Sequence, residues 1–184
     1  GVAGYAAELL ARHRELVVPA VTGRPVLSIG GSDRLAEVAA GIADLRPDDG
    51  QVIIRSGVSI VHDDGLYRDA LASAPASAPR FHPALRLIGT VLGVHDGGIA
   101  LLDVGRRDAG HDHGLPVPLE LWRGDAVLAR TDGGTPVAAL NDQHAFVPVG
   151  VFGVAPRVGD RVLLGVSHPC TTLDLWRDLA ELGE

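Results

Sequence analysis

The sequence predicts two regions of different fold class, an α/β region followed by a small antiparallel β domain. Helical and strand patterns alternate over the first 75 residues, which is typical of a parallel sheet or barrel. Alanine, serine and proline then dominate Ala72–Pro83, which indicates a domain boundary. Beyond it, short strand patterns recur between turns that contain glycine or aspartate. We therefore expect residues 1–75 to form the α/β region, 76–83 a linker and 84–184 the β domain.

The α/β region is expected to contain two helices and two strands. The short apolar runs Pro25–Ile29 and Gln51–Arg55 have strand character, and the second is typical of a strand buried on both faces. Between them a helical face runs from Leu35 to Leu45 and is terminated at Pro47. The first helix precedes both strands and is expected to end near Val17 or Pro19, since helical spacing relates Tyr5, Leu9, Leu10, His13 and Leu16.

The β domain is expected to form an antiparallel sandwich or barrel of at least six strands. Asp96-Gly97-Gly98 is a hairpin signal between the first two of them. A short helix over Thr171–Leu182 is expected to close the chain. The expected strands are 85–94, 99–104, 118–121, 127–130, 137–140 and 161–166.

Composition argues against several functional classes. The net charge of −7 disfavours binding to nucleic acid or anionic membranes, where basic residues supply most of the affinity. Aromatic residues make up only 4%, few for the stacking platforms of a single-strand binder. A transmembrane helix needs about 20 consecutive apolar residues, and the sequence has no such run. The single cysteine cannot form an internal disulfide, so the expected location is the cytoplasm. From the charge, the aromatic content and the lack of an apolar run, we expect neither nucleic-acid nor membrane partners.

The sequence lacks methionine, and all sixteen of its basic residues are arginines. Chemistry that needs an internal lysine, such as a Schiff base with an aldehyde cofactor, cannot be completed by this chain alone. We therefore expect the chain to be a fragment or a subunit of something longer.

Two glycine-containing turns are candidates for binding a phosphate. Gly30, Gly31 and Ser32 lie between a strand and a helix, where backbone amides and a hydroxyl can meet an anion. The alternative is a tight turn in which Ser32 caps the helix. Ser56 and Gly57 follow the second strand, and paired loops after the last strands of a (β/α)₈ barrel are a usual phosphate site.

His168 and Cys170 are candidate metal ligands directly after the last strand pattern. If strand geometry continues, their side chains project to one side, and imidazole and thiolate together form half of a zinc site. The alternative is a chance pair in which Cys170 packs as a small apolar residue.

Other histidines are less specific. His111 and His113 flank Asp112 in a glycine-containing loop that we interpret as a solvated turn, although it could bind a metal. His144 follows a strand and could reach a cleft. The segment 62–64 (His-Asp-Asp) either meets substrate or caps a helix expected over 66–74.

Several of these segments, in this order, resemble the C-terminal half of the D-serine dehydratase / D-threonine aldolase family, which includes bacterial amino-acid deaminases. The resemblance extends from Pro25 to Arg177. The segments that carry it are Gly30-Gly31-Ser32, Arg55-Ser56-Gly57, 62–67 (HDDGLY), 105–108 (GRRD), 112–118 (DHGLPVP), Asp142-Gln143-His144 and 168–172 (HPCTT).

The resemblance implies a pyridoxal phosphate (PLP) barrel of the alanine-racemase type followed by a small β domain. The last strands of the (β/α)₈ barrel would then lie in residues 1–75, as a partial barrel segment. Gly30, Gly31, Ser32, Ser56 and Gly57 would bind the cofactor phosphate. His168 and Cys170 would bind zinc, and the family's cofactor lysine would lie outside this chain.

The resemblance predicts part of a PLP- and zinc-dependent lyase that acts on D-serine-like or D-threonine-like 3-hydroxy amino acids. Dehydratase and aldolase need the same cofactor and metal, so the sequence leaves that choice open. Asp112 and His144 are the candidates for a third metal contact, and a homodimer is expected from the barrel type. The alternative is a truncated, inactive chain whose β domain serves dimerisation or interaction.

Overall fold

The computed structural model describes residues 1–72 and 80–181, apart from the side chains of Ser32 and Val58. These residues form two compact units. The first comprises Gly1–Ile60 and Ala70–Phe81, and the second comprises Val61–Asp69 and His82–Glu184. Half of the predicted linker at 76–83, residues 76–79, lies outside the described residues, and the predicted domain boundaries stay a prediction.

The first unit contains a parallel strand pair, as the alternating pattern predicts. Strand β1 (Val26–Gly30) pairs with β2 (Gln51–Arg55) in parallel, and Gly30 is opposite Arg55. Because the register ends at this pair, the chain leaves both strands at the same edge, which places Gly31 and Ser56 at neighbouring positions. Closure of these strands into a barrel stays a prediction.

Helices α1 (Val2–Arg12) and α2 (Leu35–Gly41) pack together in the first unit. Helical turns of other pitch extend α1 to Ala20, so the first helix was predicted in the right place. Its buried face was predicted in part, because Leu10 and His13 are buried, whereas Tyr5 is 65% exposed and Ala6, which was not predicted, is fully buried. Small residues lie at this helix contact because the backbones approach closely, and a Cβ atom on Gly41 would come within 2.6 Å of Ala6 Cβ.

The prediction that β2 is buried on both faces is wrong for the described chain. Ile53 and Ile54 are 43% and 38% exposed. Strand β2 has a single neighbour in this two-stranded sheet, so its apolar side chains are not covered by the described residues as the sequence pattern predicted.

The second unit contains a seven-stranded antiparallel sheet, which confirms the small antiparallel β domain. The strands are β3 (Arg86–His95), β4 (Ile99–Leu102), β5 (Val117–Arg123), β6 (Ala126–Arg130), β7 (Ala139–Leu140), β8 (Ala145–Pro148) and β9 (Arg161–Gly165). Their order in the sheet is β6-β5-β9-β3-β4-β8-β7, and every neighbouring pair is antiparallel. One hydrophobic core includes Leu121 and Leu164 from one half of the sheet and Val147 from the other, so the sheet curls around it.

The predicted hairpin between β3 and β4 is confirmed, and Gly98 turns the chain with a φ of 76°. Strand β8 was not predicted, and it supplies the pairing that holds β7 at the sheet edge. The predicted closing helix over Thr171–Leu182 is wrong in extent, because α5 covers only Pro169–Leu173. Proline at its first position suits a helix start.

Two short helices, α3 (Val58–Val61) and α4 (Leu66–Ala72), follow β2. The backbone of Asp64 donates to Val166 O at 2.9 Å, and that of Ala84 donates to Val61 O at 2.8 Å. These bonds explain why residues 61–69 group with the β sheet rather than with β1 and β2. Within the described residues, no helix is both long and apolar enough to cross a membrane.

Candidate metal centre

His168 lies between the end of β9 and the start of α5, where the backbone is still extended. Its Nδ1 atom is 2.7 Å from Oδ2 of Asp112, which lies in the loop between β4 and β5. The other carboxylate oxygen of Asp112 accepts a hydrogen bond from the Thr171 hydroxyl at 2.8 Å. Two residues at the start of α5 therefore hold both oxygens of Asp112.

His113 completes a group of three potential ligands. Its ring meets the His168 ring edge to face, with centroids 4.7 Å apart, and its Nε2 is 3.7 Å from Oδ2 of Asp112. In the part of the chain that the structure describes, Asp112, His113 and His168 form one group whose ligand atoms all lie within 4.8 Å of one another. A carboxylate and two imidazoles are donors that zinc accepts.

The loop that carries Asp112 is held against α5 and the residues that follow α5 by hydrogen bonds that involve neither the Asp112 nor the His168 side chain. The backbone of Gly110 donates to the Thr172 hydroxyl at 3.0 Å, and Trp176 Nε1 donates to Asp108 O at 2.8 Å. A Cβ atom on Gly110 would overlap the hydroxyl of Thr171. Glycine at this position therefore allows the loop to approach α5 closely enough for Asp112 to meet His168.

The pKa of Asp112 lies below the usual value for an aspartate. Burial opposes the change, but hydrogen bonds from Thr171 and His168 lower the pKa of Asp112 to about 2. The carboxylate is therefore charged over the whole physiological pH range, and it gives the group a permanent negative charge that favours a bound cation.

Cys170 lies apart from this group. It is exposed in the first turn of α5 and is not among the three grouped ligands. Continued strand geometry was the premise for pairing His168 with Cys170, and that premise is wrong because β9 ends at Gly165 and α5 begins at Pro169. The pairing itself stays a prediction.

The two candidates for a third metal contact fall in different places. Asp112 is in the group, whereas His144 is half-buried in the turn before β8, and its carbonyl accepts from Asn141 N. For His113 the sequence left metal binding as the less favoured alternative to a solvated turn, and it did not indicate that this ring lies beside His168.

The candidate phosphate-binding residues lie at the carboxyl-terminal edge of β1 and β2. The Ser56 hydroxyl is buried and has no hydrogen-bond partner among the described residues. Gly57 faces open space, where an added Cβ would meet nothing within 4 Å. Gly30 is opposite Arg55, and Gly31 adopts a φ of 131°, which favours glycine. The Ser32 side chain lies outside the described part, and phosphate binding by these residues stays a prediction.

Asp63 has the capping role that was one of the two alternatives for its segment. Its Oδ1 accepts hydrogen bonds from the backbone of Gly65 at 2.8 Å and Tyr67 at 2.9 Å, which secures the start of α4. Burial raises the pKa of Asp63, although these backbone hydrogen bonds oppose the change. Asp63 therefore stabilises structure in the described chain.

Comparison with known proteins gives a consistent result. The family model described as a putative serine dehydratase domain matches residues 84–181, more than half of the chain. No curated protein matches the chain. Among solved structures, D-threonine aldolase from Filomicrobium marinum is similar with a TM-score of 0.59 and 18% identity over 82% of this chain and 35% of that one. D-threo-3-hydroxyaspartate dehydratase from Delftia sp. HT23 is similar with a TM-score of 0.57 and 20% identity over 95% of this chain and 49% of that one.

At these identities the likeness to the solved structures concerns the fold. The chain spans about a third of the first solved chain and half of the second. The matched family region includes the whole group of Asp112, His113 and His168.

Proposed function

The chain belongs to the family of putative serine dehydratase domains, and from that premise we propose that it is the C-terminal part of a PLP- and zinc-dependent lyase. Its substrates are 3-hydroxy amino acids of the D-serine or D-threonine type. The observation that carries the proposal is the group of Asp112, His113 and His168 inside the matched region.

The donor chemistry of the site fits a zinc ion. Imidazole, thiolate and carboxylate are the ligands that zinc takes in proteins, and a catalytic zinc keeps one position open for water or substrate. His168 is the central ligand of the proposed site, and Cys170 is the second ligand that the family resemblance implies. His113 lies against His168 and supplies a further imidazole.

The edge of β1 and β2 fits the phosphate of PLP. The buried Ser56 hydroxyl lacks a partner among the described residues and can donate to a phosphate oxygen. The open space at Gly57 and the glycine backbone at Gly31 let the amides of both residues approach an anion. The carboxyl-terminal edge of parallel strands is also the usual place for ligands in α/β folds.

The two groups supply complementary chemistry when they are bound, because PLP withdraws electrons from the substrate α-carbon and zinc polarises the 3-hydroxyl. The chain contributes the groups that hold them. Asp112 orients His168, and the Gly110 contact to α5 keeps Asp112 in place. The chain has no lysine, so the residue that links PLP to the protein comes from another part of the enzyme.

Activity assays on the gene product that contains this chain test the proposal. Purified with PLP and zinc, it should convert D-serine into pyruvate and ammonia, or D-threonine into glycine and acetaldehyde, and the products separate dehydratase from aldolase. His168→Ala should abolish the activity, whereas His95→Ala, at an exposed histidine of β3, should leave it unchanged. Absence of product from both substrates, or full activity in His168→Ala, would overturn the proposal.

A further inference from the structure

The contact between Asp112 and His168 decides which nitrogen of the histidine ring is free. His168 Nδ1 is 2.7 Å from Asp112 Oδ2. An ionised carboxylate can only accept hydrogen bonds, so a neutral His168 carries its proton on Nδ1 and keeps the lone pair on Nε2. Nε2 is thus the nitrogen left for a metal ion.

Asp112 is itself held in a fixed orientation. The Thr171 hydroxyl donates to Asp112 Oδ1 at 2.8 Å, so each carboxylate oxygen has its own partner. Thr171 is three residues beyond His168, and the Thr172 hydroxyl bonds to the His168 carbonyl at 2.9 Å. The start of α5 therefore orients both the histidine and the carboxylate that meets it.

We propose that Asp112, held by Thr171, is a positioning residue that fixes His168 with Nδ1 protonated and presents Nε2 to the metal ion. The inference rests on the proposed function, because it takes His168 as a metal ligand. Metal-binding histidines commonly donate their second N–H to a carboxylate, and loss of such a partner typically weakens metal binding about 10–100-fold. The competing arrangement makes Asp112 a ligand in its own right.

The first experiment reads the His168 tautomer in the metal-free chain, where no activity is involved. Nitrogen-15 spectra, recorded where the histidine ring is neutral, should show the His168 proton on Nδ1, with the signal assigned by its loss in His168→Ala. Asp112→Ala should move the proton towards Nε2. Asp96→Ala, at an exposed carboxylate in the β3–β4 turn, is the control and should change nothing.

The second experiment measures zinc affinity by competition with a chelating dye, and coordination by the visible spectrum of the cobalt-substituted chain. Asp112→Ala should bind zinc about 10–100-fold more weakly and keep the wild-type cobalt spectrum, because no ligand is lost. Thr171→Val removes the hydroxyl that holds Asp112 and should also weaken zinc binding.

Three results would overturn the inference: a wild-type His168 protonated on Nε2, a cobalt spectrum altered in Asp112→Ala, or tighter zinc binding in Thr171→Val. The last two would indicate that Asp112 is a ligand. A reversed tautomer in a chain that still binds zinc overturns this inference alone. A wild-type chain that binds neither zinc nor cobalt overturns the metal site of the proposed function as well.

Discussion

Arg86, at the start of β3, forms an ion pair with Asp64, a residue that sequence patterning assigns to the α/β region. Both side chains are largely buried, with 11% of Asp64 and 23% of Arg86 exposed. The carboxylate also lies where a side chain on Gly165 would be, so β9 needs glycine at its end. The pair belongs to the set of contacts that joins residues 61–69 to the β sheet.

Removal of Arg86 should destabilise the β-sheet unit. Arg86→Met leaves a buried carboxylate without its charged partner, which costs roughly 3 kcal/mol at neutral pH, the lower end of the range for buried pairs because Arg86 keeps some exposure. The loss is measured from urea unfolding. Arg107→Met, which breaks an exposed ion pair with Asp142, is the control and should change the free energy of unfolding by less than about 1 kcal/mol.

The same variant has an expected pH dependence. Burial raises the pKa of Asp64, and the positive charge of Arg86 opposes that rise. Without Arg86 the folded-state pKa rises further, so the variant gains relative stability as Asp64 takes up a proton at lower pH. The difference from wild type should shrink as the pH falls from neutral, and a difference that grows instead would show that Asp64 is not the group responsible.

Local patterns predicted much of this fold, whereas long-range contacts account for most of what they missed. The bounds of β2 and the turn at Gly98 follow from apolar runs and turn residues, which act over a few positions. Residues 61–69 follow β2 in sequence, but their backbone hydrogen bonds reach Val166 and Ser167, which directly follow β9 about a hundred residues later. No pattern within the segment carries that information.

The candidate metal centre shows the same difference between local patterns and long-range contacts. The His168 segment was singled out from its own sequence, whereas Asp112 comes beside it through a loop 56 residues away. Glycine at position 110 leaves room for that approach, and the hydrogen bond from Trp176 to the Asp108 carbonyl supports the same loop. Trp176 lies in the part of the predicted closing helix that is not helical in the structure, because α5 ends at Leu173.

The contact between α1 and α2 should tolerate no side chain at Gly41. Alanine normally stabilises a helix relative to glycine, but here its Cβ would overlap the Ala3 carbonyl and come within 2.6 Å of Ala6 Cβ. We expect Gly41→Ala to lower stability by about 1–3 kcal/mol through overpacking. Gly4→Ala, in α1 with nothing within 4 Å, is the matched control and should stabilise by roughly 0.5–1 kcal/mol.

Chemical denaturation followed by circular dichroism measures both substitutions. We expect the two substitutions to change the free energy of unfolding in opposite directions. Two stabilising substitutions would mean that α1 and α2 do not approach as closely as the Gly41 contact indicates.

The ion pair of Arg14 and Asp49 should make stability depend on pH in the acid range. The hydrogen bond from Arg14 lowers the pKa of Asp49 to about 2, below the value of about 3.9 for an unfolded chain. The stabilisation is therefore complete above about pH 4 and is lost as the pH falls through about 2. The unfolding midpoint of Asp49→Asn should lie below that of wild type at neutral pH, and the two should converge towards pH 2.

Asp48→Asn is the control for this titration, because Asp48 is the exposed neighbour of buried Asp49. It should leave the unfolding midpoint nearly unchanged at every pH. Midpoints of wild type and Asp49→Asn that diverge as the pH falls would contradict the assignment of the stabilising charge to Asp49.

The ligands of the proposed zinc ion can be separated by three substitutions at one site. His168→Ala should abolish stoichiometric zinc binding, because His168 is common to the pair implied by the family resemblance and to the group in the structure. Cys170→Ala should also lose stoichiometric zinc, since imidazole and thiolate are the stronger of the available ligands. His113→Ala should weaken binding and keep one zinc per chain, because its imidazole is exposed and lies at the periphery of the site.

Elemental analysis of chains purified with zinc gives the stoichiometry, and the thiolate-to-metal charge-transfer band of the cobalt form reports directly on Cys170. The metal-free forms of all three variants should melt close to the metal-free wild type, because a catalytic metal with an open position is not needed for folding. If the cobalt form lacks the charge-transfer band and His113→Ala loses its zinc, the second ligand is His113 rather than Cys170. Loss of the fold in His168→Ala and Cys170→Ala alike would instead make the site structural, and zinc would then have no role in polarising the substrate hydroxyl.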